Sequence, residues 1–322
     1  MSSIQKLQKR ASARVARTQM VWVDGGEFRM GSDRHYPEEA PSRRTAVSGF
    51  WIDVHPVTNR QFAQFVRETG WITVAEVAPD PADYPGALPE KLAPSSLVFQ
   101  PTGGPVPLDD VTAWWRYTPG ADWRHPTGPQ SGLTGLWDHP VTHVAWADVT
   151  AYAQWAGKDL PSEAEWEFAC RGGLDGAEYA WGHELMPGGR IMANTWRGRF
   201  PFESLKPSGA FRTSPVGLFP PNGFGLYDMI GNVWEWTRDW WSRPAPSASP
   251  CCAPQNPLGG SMADSMDAAA PIPIARKVLK GGSHLCAPSY CRRYRPAARH
   301  AHPIDTSTSH IGFRCVMREP AS

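Results

Sequence analysis

The segment Lys280-Gly-Gly-Ser-His-Leu-Cys-Ala-Pro-Ser-Tyr-Cys-Arg-Arg-Tyr-Arg295 constrains this chain more tightly than any other. In an extended strand its two cysteines, Cys286 and Cys291, would lie roughly 16 Å apart and point to opposite faces. A disulfide, or a metal shared by both sulfurs, needs Cα atoms near about 6 Å. If the sulfurs act together, Ala287-Pro288-Ser289 must fold back as a tight loop. Proline suits such a loop because its φ is fixed and it donates no ladder hydrogen bond.

The neighbours of this pair favour thiolate over thiol. Arg292, Arg293, Arg295 and Arg299 put four permanent positive charges close to Cys291 in sequence, and cations lower a cysteine pKa. Two thiolates with little oxygen ligation are the donor set expected for Cu(I), whereas structural zinc needs two more ligands. Read from the residues alone, a plain disulfide or an inert core pair stays open beside the metal and redox readings.

Length and charge exclude several classes. A chain of 322 residues allows one large or two ordinary domains. Lys+Arg 32 against Asp+Glu 31 leaves a net charge of +1, so no global field points to nucleic acid or an acidic membrane surface. Residues 1–19 read as a flexible basic arm (Lys6, Lys9, Arg10, Arg14, Arg17) without the apolar run of a signal peptide, and no stretch approaches a membrane span. A cytoplasmic, monomeric protein is expected. Gly 30 and Pro 33 imply much loop, while 16 tryptophans need burial, so the expected body (20–322) is loop-rich yet compact.

Along the chain, Met20 to Ser32 reads as two strands joined at Asp24-Gly25-Gly26, and Phe50 to Val54 as another strand. Thr58 with Gln61 forms a capping-box pattern opening a helix that Gly70 closes. Residues 76–136 are a long Pro/Gly-rich stretch carrying Trp114, Trp115 and Trp123, suited to a lid or groove wall. Helices follow over 146–156 and from Ser162-x-x-Glu165 to Gly172, the second holding Cys170 in its last turn, where a thiolate is disfavoured. Asp228 and Glu235 sit among glycine and aromatics, where a turn could offer oxygens to Ca²⁺ or cap backbone amides. Residues 243–276, with Cys251-Cys252, read as a flexible excursion, and Ser309 to Met317 as a closing strand. No His-Glu-x-x-His, matched Cys-x-x-Cys pairs, phosphate loop or Gly-x-Ser-x-Gly elbow occurs, which disfavours zinc, nucleotide and serine-hydrolase chemistry.

These motifs, in order, resemble one family. Val21-Trp-Val-Asp-Gly-Gly-Glu-Phe-Arg-Met-Gly-Ser32, Val57-Thr-Asn59, Leu160-Pro-Ser-Glu-Ala-Glu-Trp-Glu-Phe-Ala-Cys-Arg-Gly-Gly173, Gly231-Asn-Val-Trp-Glu-Trp236, Lys280-Gly-Gly-Ser283 and Gly312-Phe-Arg-Cys315 are similar to those of the formylglycine-generating enzymes. The resemblance runs over about residues 20–318. It implies a single α+β domain of low regular secondary structure, related to C-type lectins. It also implies an oxidoreductase that converts a cysteine in an unfolded sulfatase Cys-x-Pro-x-Arg motif to Cα-formylglycine with O₂. Copper(I) would be held by Cys286 and Cys291, with Ser283, Tyr290, Arg295, Trp234, Ser307 and His310 lining the oxygen and substrate pocket.

The resemblance implies two calcium sites as well, one at Asn194 and Thr195, the other at Asp228, Gly231, Val233 and Glu235. It matches Cys170 and Cys315 to a structural pair. The chain departs from the pattern at Ser208 and Ala210, where relatives supply an acidic and an aromatic residue to the first calcium site, at His310, where some have Asn, and at Pro56. Two other classes remain: a non-catalytic lectin-like module, which would lack the cysteine pair, and a metal-free thiol-disulfide oxidoreductase.

Overall fold

The computed structural model describes residues 19–206, 212–243, 253–270 and 272–319. Among the described residues, eleven short strands and three α-helices are joined by long loops, an α+β arrangement with little regular structure. The first strand β1 (Met20–Val23) pairs antiparallel with β4 (Phe50–Asp53), and β4 pairs on its other side with β11 (Val316–Arg318). A second hairpin joins β2 (Gly26–Met30) to β3 (Arg43–Val47). The expected pairing of the two opening strands therefore does not form. Asp24 accepts from the Trp22 indole, and a Cβ on Gly25 would lie 2.4 Å from the Val47 carbonyl oxygen, so the turn passes the chain between sheets.

The first helix, α1 (Asn59–Thr69), has the capping box read from its sequence: Gln61 N–H donates to Thr58, and Thr58 N–H donates back to the Gln61 side chain. Gly70 ends it at φ 69°. Phe62 and Phe65 go into the main core, where Phe62 meets Phe313 edge-on at 6.5 Å. The long 76–136 stretch is ordered around a hairpin of β5 (Ser95–Phe99) and β6 (Trp115–Pro119). The second helix, α2, spans Trp146–Trp155, and the third, α3, spans Glu163–Arg171 between a Ser162/Glu165 capping box and Gly172.

The largest sheet has the order β10-β7-β8-β9, from Ile311–Gly312, Trp234–Trp240, Arg276–Lys280 and Arg299–Pro303, with only β10 and β7 parallel. The expected closing strand is thus divided: Ile311-Gly312 joins this sheet, and Val316 to Arg318 completes the β1-β4-β11 sheet. Residues 1–18, Ser208, Ala210, Cys251 and Cys252 lie outside the described residues. Within the 243–276 excursion, 253–270 is tied back, with Ala46 N donating to Pro254 O and Ser48 N to Asn256 Oδ1. Among the described residues no helix is long and apolar enough to cross a membrane.

Helix α3 holds the sheets together by charge as well as packing. Its three glutamates are all buried, and each meets a cation from a different strand. Glu163 pairs with Arg299 at 2.7 Å, Glu165 with Arg318 at 2.6 Å, and Glu167 with Lys280 at 2.9 Å and Arg171 at 2.7 Å. Burial pushes the Glu167 pKa up, but Lys280 and Arg171 outweigh it and hold the group at about 2. Removing one partner of a buried pair leaves the other charge uncompensated, at a cost of about 3–5 kcal/mol.

Glu167→Gln is therefore expected to lose about 3 kcal/mol in urea unfolding at neutral pH. Because the folded pKa lies below the ordinary 4.5, the stabilisation is full above 4.5 and disappears as pH falls toward about 2. The gap between wild type and variant should close over that interval. A gap that stays constant would show that charge pairing is not its source.

Candidate active site

Lys280, fixed by Glu167, hands the chain to the cysteine segment. Gly281 and Gly282 follow with φ of 90° and 71°, and a Cβ on Gly282 would lie 2.7 Å from the Arg293 carbonyl oxygen, so the segment doubles back onto itself here. Cys286 N–H donates to Ser283 O, and both Tyr290 and Cys291 N–H donate to Ala287 O, which closes the 287–291 turn. The result brings Cys286 Sγ to 3.4 Å from Cys291 Sγ. Cys286 is buried and Cys291 half-buried.

The loop is wedged between two apolar bodies. Cys286 belongs to the main core and Cys291 packs against it, whereas Leu285 and Ala287 enter a satellite cluster with Phe99, Trp114, Trp196 and Phe200. Tyr290 stacks on Phe200 at 4.5 Å with rings parallel within 1°, and meets Trp114 edge-on at 5.3 Å. The 76–136 stretch thus supplies a wall of the site through Phe99 and Trp114.

The two sulfurs differ in protonation. The pKa of Cys291 is lowered, first by the hydrogen bond from Cys286 and then by Arg293, whose Nη1 lies 4.0 Å from its sulfur. Burial raises that of Cys286, and the neighbouring Cys291 raises it further. A Cys291 thiolate accepting the Cys286 S–H is the consistent state. Ser283 N–H donates to Cys286 Sγ at 3.4 Å.

Of the four arginines expected to activate the pair, only Arg293 reaches a sulfur. Arg295 forms a two-fold ion pair with Glu39 and donates to Arg292 O, and Arg299 is bound to Glu163. Arg295 is thereby a buried strut behind the loop. The segment Tyr36 to Glu39 receives this cluster: Glu38 Oε1 lies 2.5 Å from Arg293, Tyr36 lies 3.9 Å under its guanidinium, and Tyr36 Oη accepts from Arg292 N–H. Sequence reading missed this partner, although an acidic pair between prolines in a chain rich in one basic cluster was available as a signal.

The remaining candidates make the following contacts. Trp234 N–H donates to His310 O, and the Trp234 ring faces His300 at 5.7 Å. His310 sits beside Trp115 at 4.7 Å, with Nδ1 2.6 Å from Thr308 Oγ1, and burial lowers its pKa. Ser307 Oγ donates to Ser96 Oγ at 2.7 Å, and Ser96 Oγ lies 2.7 Å from His143 Nδ1. His143 Nε2 faces the Pro126 carbonyl at 3.0 Å, which can only accept. Nδ1 is therefore the acceptor, and Ser307 is left presenting lone pairs outward. Burial holds His143 neutral, with a pKa of about 4. Ser307 borders an apolar cleft of about 540 Å³ with Leu97, Tyr84 and Tyr117. Further along β5, a cleft of about 520 Å³ is lined by Phe99, Trp123, His284 and Ser309.

The oxygen-ligand candidates are less uniform. Glu235 has both carboxylate oxygens on Arg314, at 2.7 and 2.8 Å, and also accepts from the Trp166 indole. Its charge is already balanced. Asp228 stands at φ 53° with Oδ2 accepting from Gly217 N–H, while Oδ1 is buried without a hydrogen-bond partner. Burial raises its pKa to about 6. Gly231, at φ 75°, brings its backbone so close to Asn194 that a Cβ would lie 2.5 Å from the Asn194 carbonyl oxygen. Cys170 and Cys315 are both buried free thiols, their pKa values raised chiefly by burial.

Comparison with known proteins identifies the family. The family model described as a sulfatase-modifying factor enzyme 1-like domain matches residues 5–319. A formylglycine-generating enzyme of Mycobacterium tuberculosis is 54% identical over 95% of this chain and 99% of its own length. A mouse relative described as inactive C-alpha-formylglycine-generating enzyme 2 is 36% identical over 92% of this chain and 87% of its own. Among solved structures, PvdO from Pseudomonas aeruginosa superposes with a TM-score of 0.61 at 23% identity, covering 92% of this chain and 93% of that one, which bears on the fold alone. With residues 5–319 matched in this way, the chain belongs to the formylglycine-generating enzyme family, which acts on sulfatases.

Proposed function

We propose that this chain oxidises the cysteine of a Cys-x-Pro-x-Arg motif in an unfolded sulfatase to Cα-formylglycine, using O₂ and copper(I) held by Cys286 and Cys291. The observation that carries the reading is the pair of sulfurs 3.4 Å apart, one of them half-buried, on a loop fixed by Lys280. Among the described residues no group of three or more His, Cys, Asp or Glu is placed to hold a metal. The sulfurs form a soft donor set of low coordination number, which fits Cu(I) and not zinc. When bound, copper supplies one-electron reactivity toward O₂ and an open position for the substrate thiol.

The reaction balances only with an external reductant. Converting –CH₂–SH to –CHO with release of H₂S removes two electrons, whereas reduction of O₂ takes four. Two further thiols, oxidised to a disulfide, supply the difference, and the products are the aldehyde, H₂S, the disulfide and water. The chain's own residues set the stage for this. Arg293 and the Cys286 S–H keep Cys291 as thiolate, the form that binds metal. Ser283 N–H and the turn onto Ala287 hold the sulfurs together. Burial beside Cys291 raises the Tyr290 pKa to about 12, so it stays a neutral wall. Ser307 offers an acceptor, oriented through Ser96 and His143. Arg295, through Glu39, holds the loop from behind.

For calcium, the residue that fits is Asp228, whose Oδ1 lacks a partner, and Gly231 and Val233 would add backbone oxygen; Glu235 is committed to Arg314. A reducing, cytoplasmic setting accords with all four described cysteines being free. The thiolate beside a second thiol also suits metal-free thiol-disulfide exchange.

Three outcomes test this reading. The purified chain should bind about one Cu(I) per molecule in a chelator competition, and Cys286→Ser or Cys291→Ser should abolish both binding and conversion of a Cys-Thr-Pro-Ser-Arg peptide by mass spectrometry. Full turnover after rigorous copper removal would reject the metal role in favour of the exchange reading. In copper-free enzyme, Cys291 should alkylate with iodoacetamide ahead of Cys286, and Arg293→Met should move the pH inflection upward by roughly one unit; an unmoved inflection would remove Arg293 from the account. Calcium should raise the melting temperature, and Asp228→Asn should remove that response; a response that survives the substitution places the ion elsewhere.

A further inference from the structure

The residues implied as the first calcium site do not fit calcium in this chain. Asn194 is buried, and its amide orientation is fixed from both ends. Nδ2 faces three acceptors, Arg212 O, Ser214 Oγ and Asn232 Oδ1, at 3.2–3.3 Å. Oδ1 must therefore turn the other way, and there it meets Lys206 Nζ at 2.5 Å. Beneath, Asn232 N–H donates to Asn194 O, and the Asn232 side chain is closed onto Ser214. The position a cation would take on Asn194 Oδ1 already holds one.

We propose that the Lys206 ammonium replaces calcium at Asn194, so that this chain carries a built-in cation there in place of a metal ion. Calcium affinity rises with the number of charged ligands, and Asn194 supplies only a neutral amide oxygen, whose partner is the Lys206 ammonium. Ser208 and Ala210 add no carboxylate to the sequence nearby. A divalent ion would have to displace the ammonium and bear the repulsion of Arg197, which already acts on Lys206. A single charge on a flexible stem satisfies the same oxygen without that demand. Lys206 is substantially buried and its pKa is lowered to about 8, so it is still protonated at neutral pH. The replacement makes this corner independent of the calcium supply.

The test uses calcium itself and two readouts that do not involve turnover. In equilibrium dialysis with radioactive calcium at millimolar free ion, the chelator-stripped chain should bind at most one ion, and none once Asp228 is replaced in Asp228→Asn. If the wild type binds no calcium at all, the Asp228 reading fails and this one stands. Two ions per chain, or one ion kept by Asp228→Asn and lost on Asn194→Ala, would overturn the replacement. Independently, Lys206→Met should lower the melting temperature by about 3–6 °C in chelator, because it leaves a buried acceptor without its donor. A melting temperature within about one degree of wild type would show that the ammonium does not support this corner, and would equally overturn the proposal.

Discussion

The buried pairing of Glu167 with Lys280 fixes the geometry on which the cysteine site depends. Both groups are almost wholly removed from water, and a lone charge there would be costly to desolvate. Each therefore needs its partner at hydrogen-bond distance, which sets helix α3 against β8 with little freedom to slide. Arg299 on Glu163 and Arg318 on Glu165 repeat the constraint on β9 and β11. Arg314 on Glu235, joined by the Trp166 indole, extends it to β7. Buried pairs of this kind add little net stability against apolar packing. They do specify one register, because a one-residue slip would strand several charges at once. A fold with short strands and long loops has few other means of setting register.

From that frame the reactivity of the loop follows. Lys280 is the last residue of β8, and six residues later the chain presents Cys286. The loop needs no regular structure of its own, since Leu285, Ala287 and Tyr290 anchor one side in the satellite aromatic cluster and Cys286 anchors the other in the main core. Burial alone would raise both thiol pKa values. The asymmetry comes from Arg293, itself braced by Glu38 and Tyr36, and from donation by one thiol to the other. Metal binding requires both sulfurs deprotonated, so a soft cation bound here would have to displace the proton that burial and Cys291 hold on Cys286.

Local chemistry was legible in the sequence, and distant pairing was not. The capping boxes at Thr58 and Ser162, the stops at Gly70 and Gly172 and the fold-back at Ala287-Pro288 all depend on residues within a few positions of one another, and the structure has each of them. The opening hairpin failed because the same Asp-Gly-Gly turn also serves a chain changing sheets, and nothing local separates the two uses. The arginine cluster misled for a related reason. Arg295 and Arg293 take partners in residues 38 and 39, some 255 positions away, so a count of nearby charges overstated the field at Cys291. The family motifs pointed to the family correctly, yet most of their polar residues are scaffold. Glu163 and Glu167 are taken up by Arg299 and Lys280, and Glu235 by Arg314, which leaves the cysteine segment as the proposed seat of the chemistry.

The two oxygen-rich corners extend the same logic. At Glu235 the carboxylate is met by a guanidinium, and at Asn194 the amide oxygen is met by an ammonium. In each case the compensating charge is attached to the chain, so its local concentration is fixed and its binding requires no free ion. Covalent attachment also limits the charge to one unit, which suits a neutral amide oxygen and the single carboxylate of Glu235. Asp228 differs in that one oxygen is left without any donor while burial opposes its ionisation. An unpartnered, buried carboxylate oxygen is the least stable of the three arrangements, and so the one where an external cation gains most by binding.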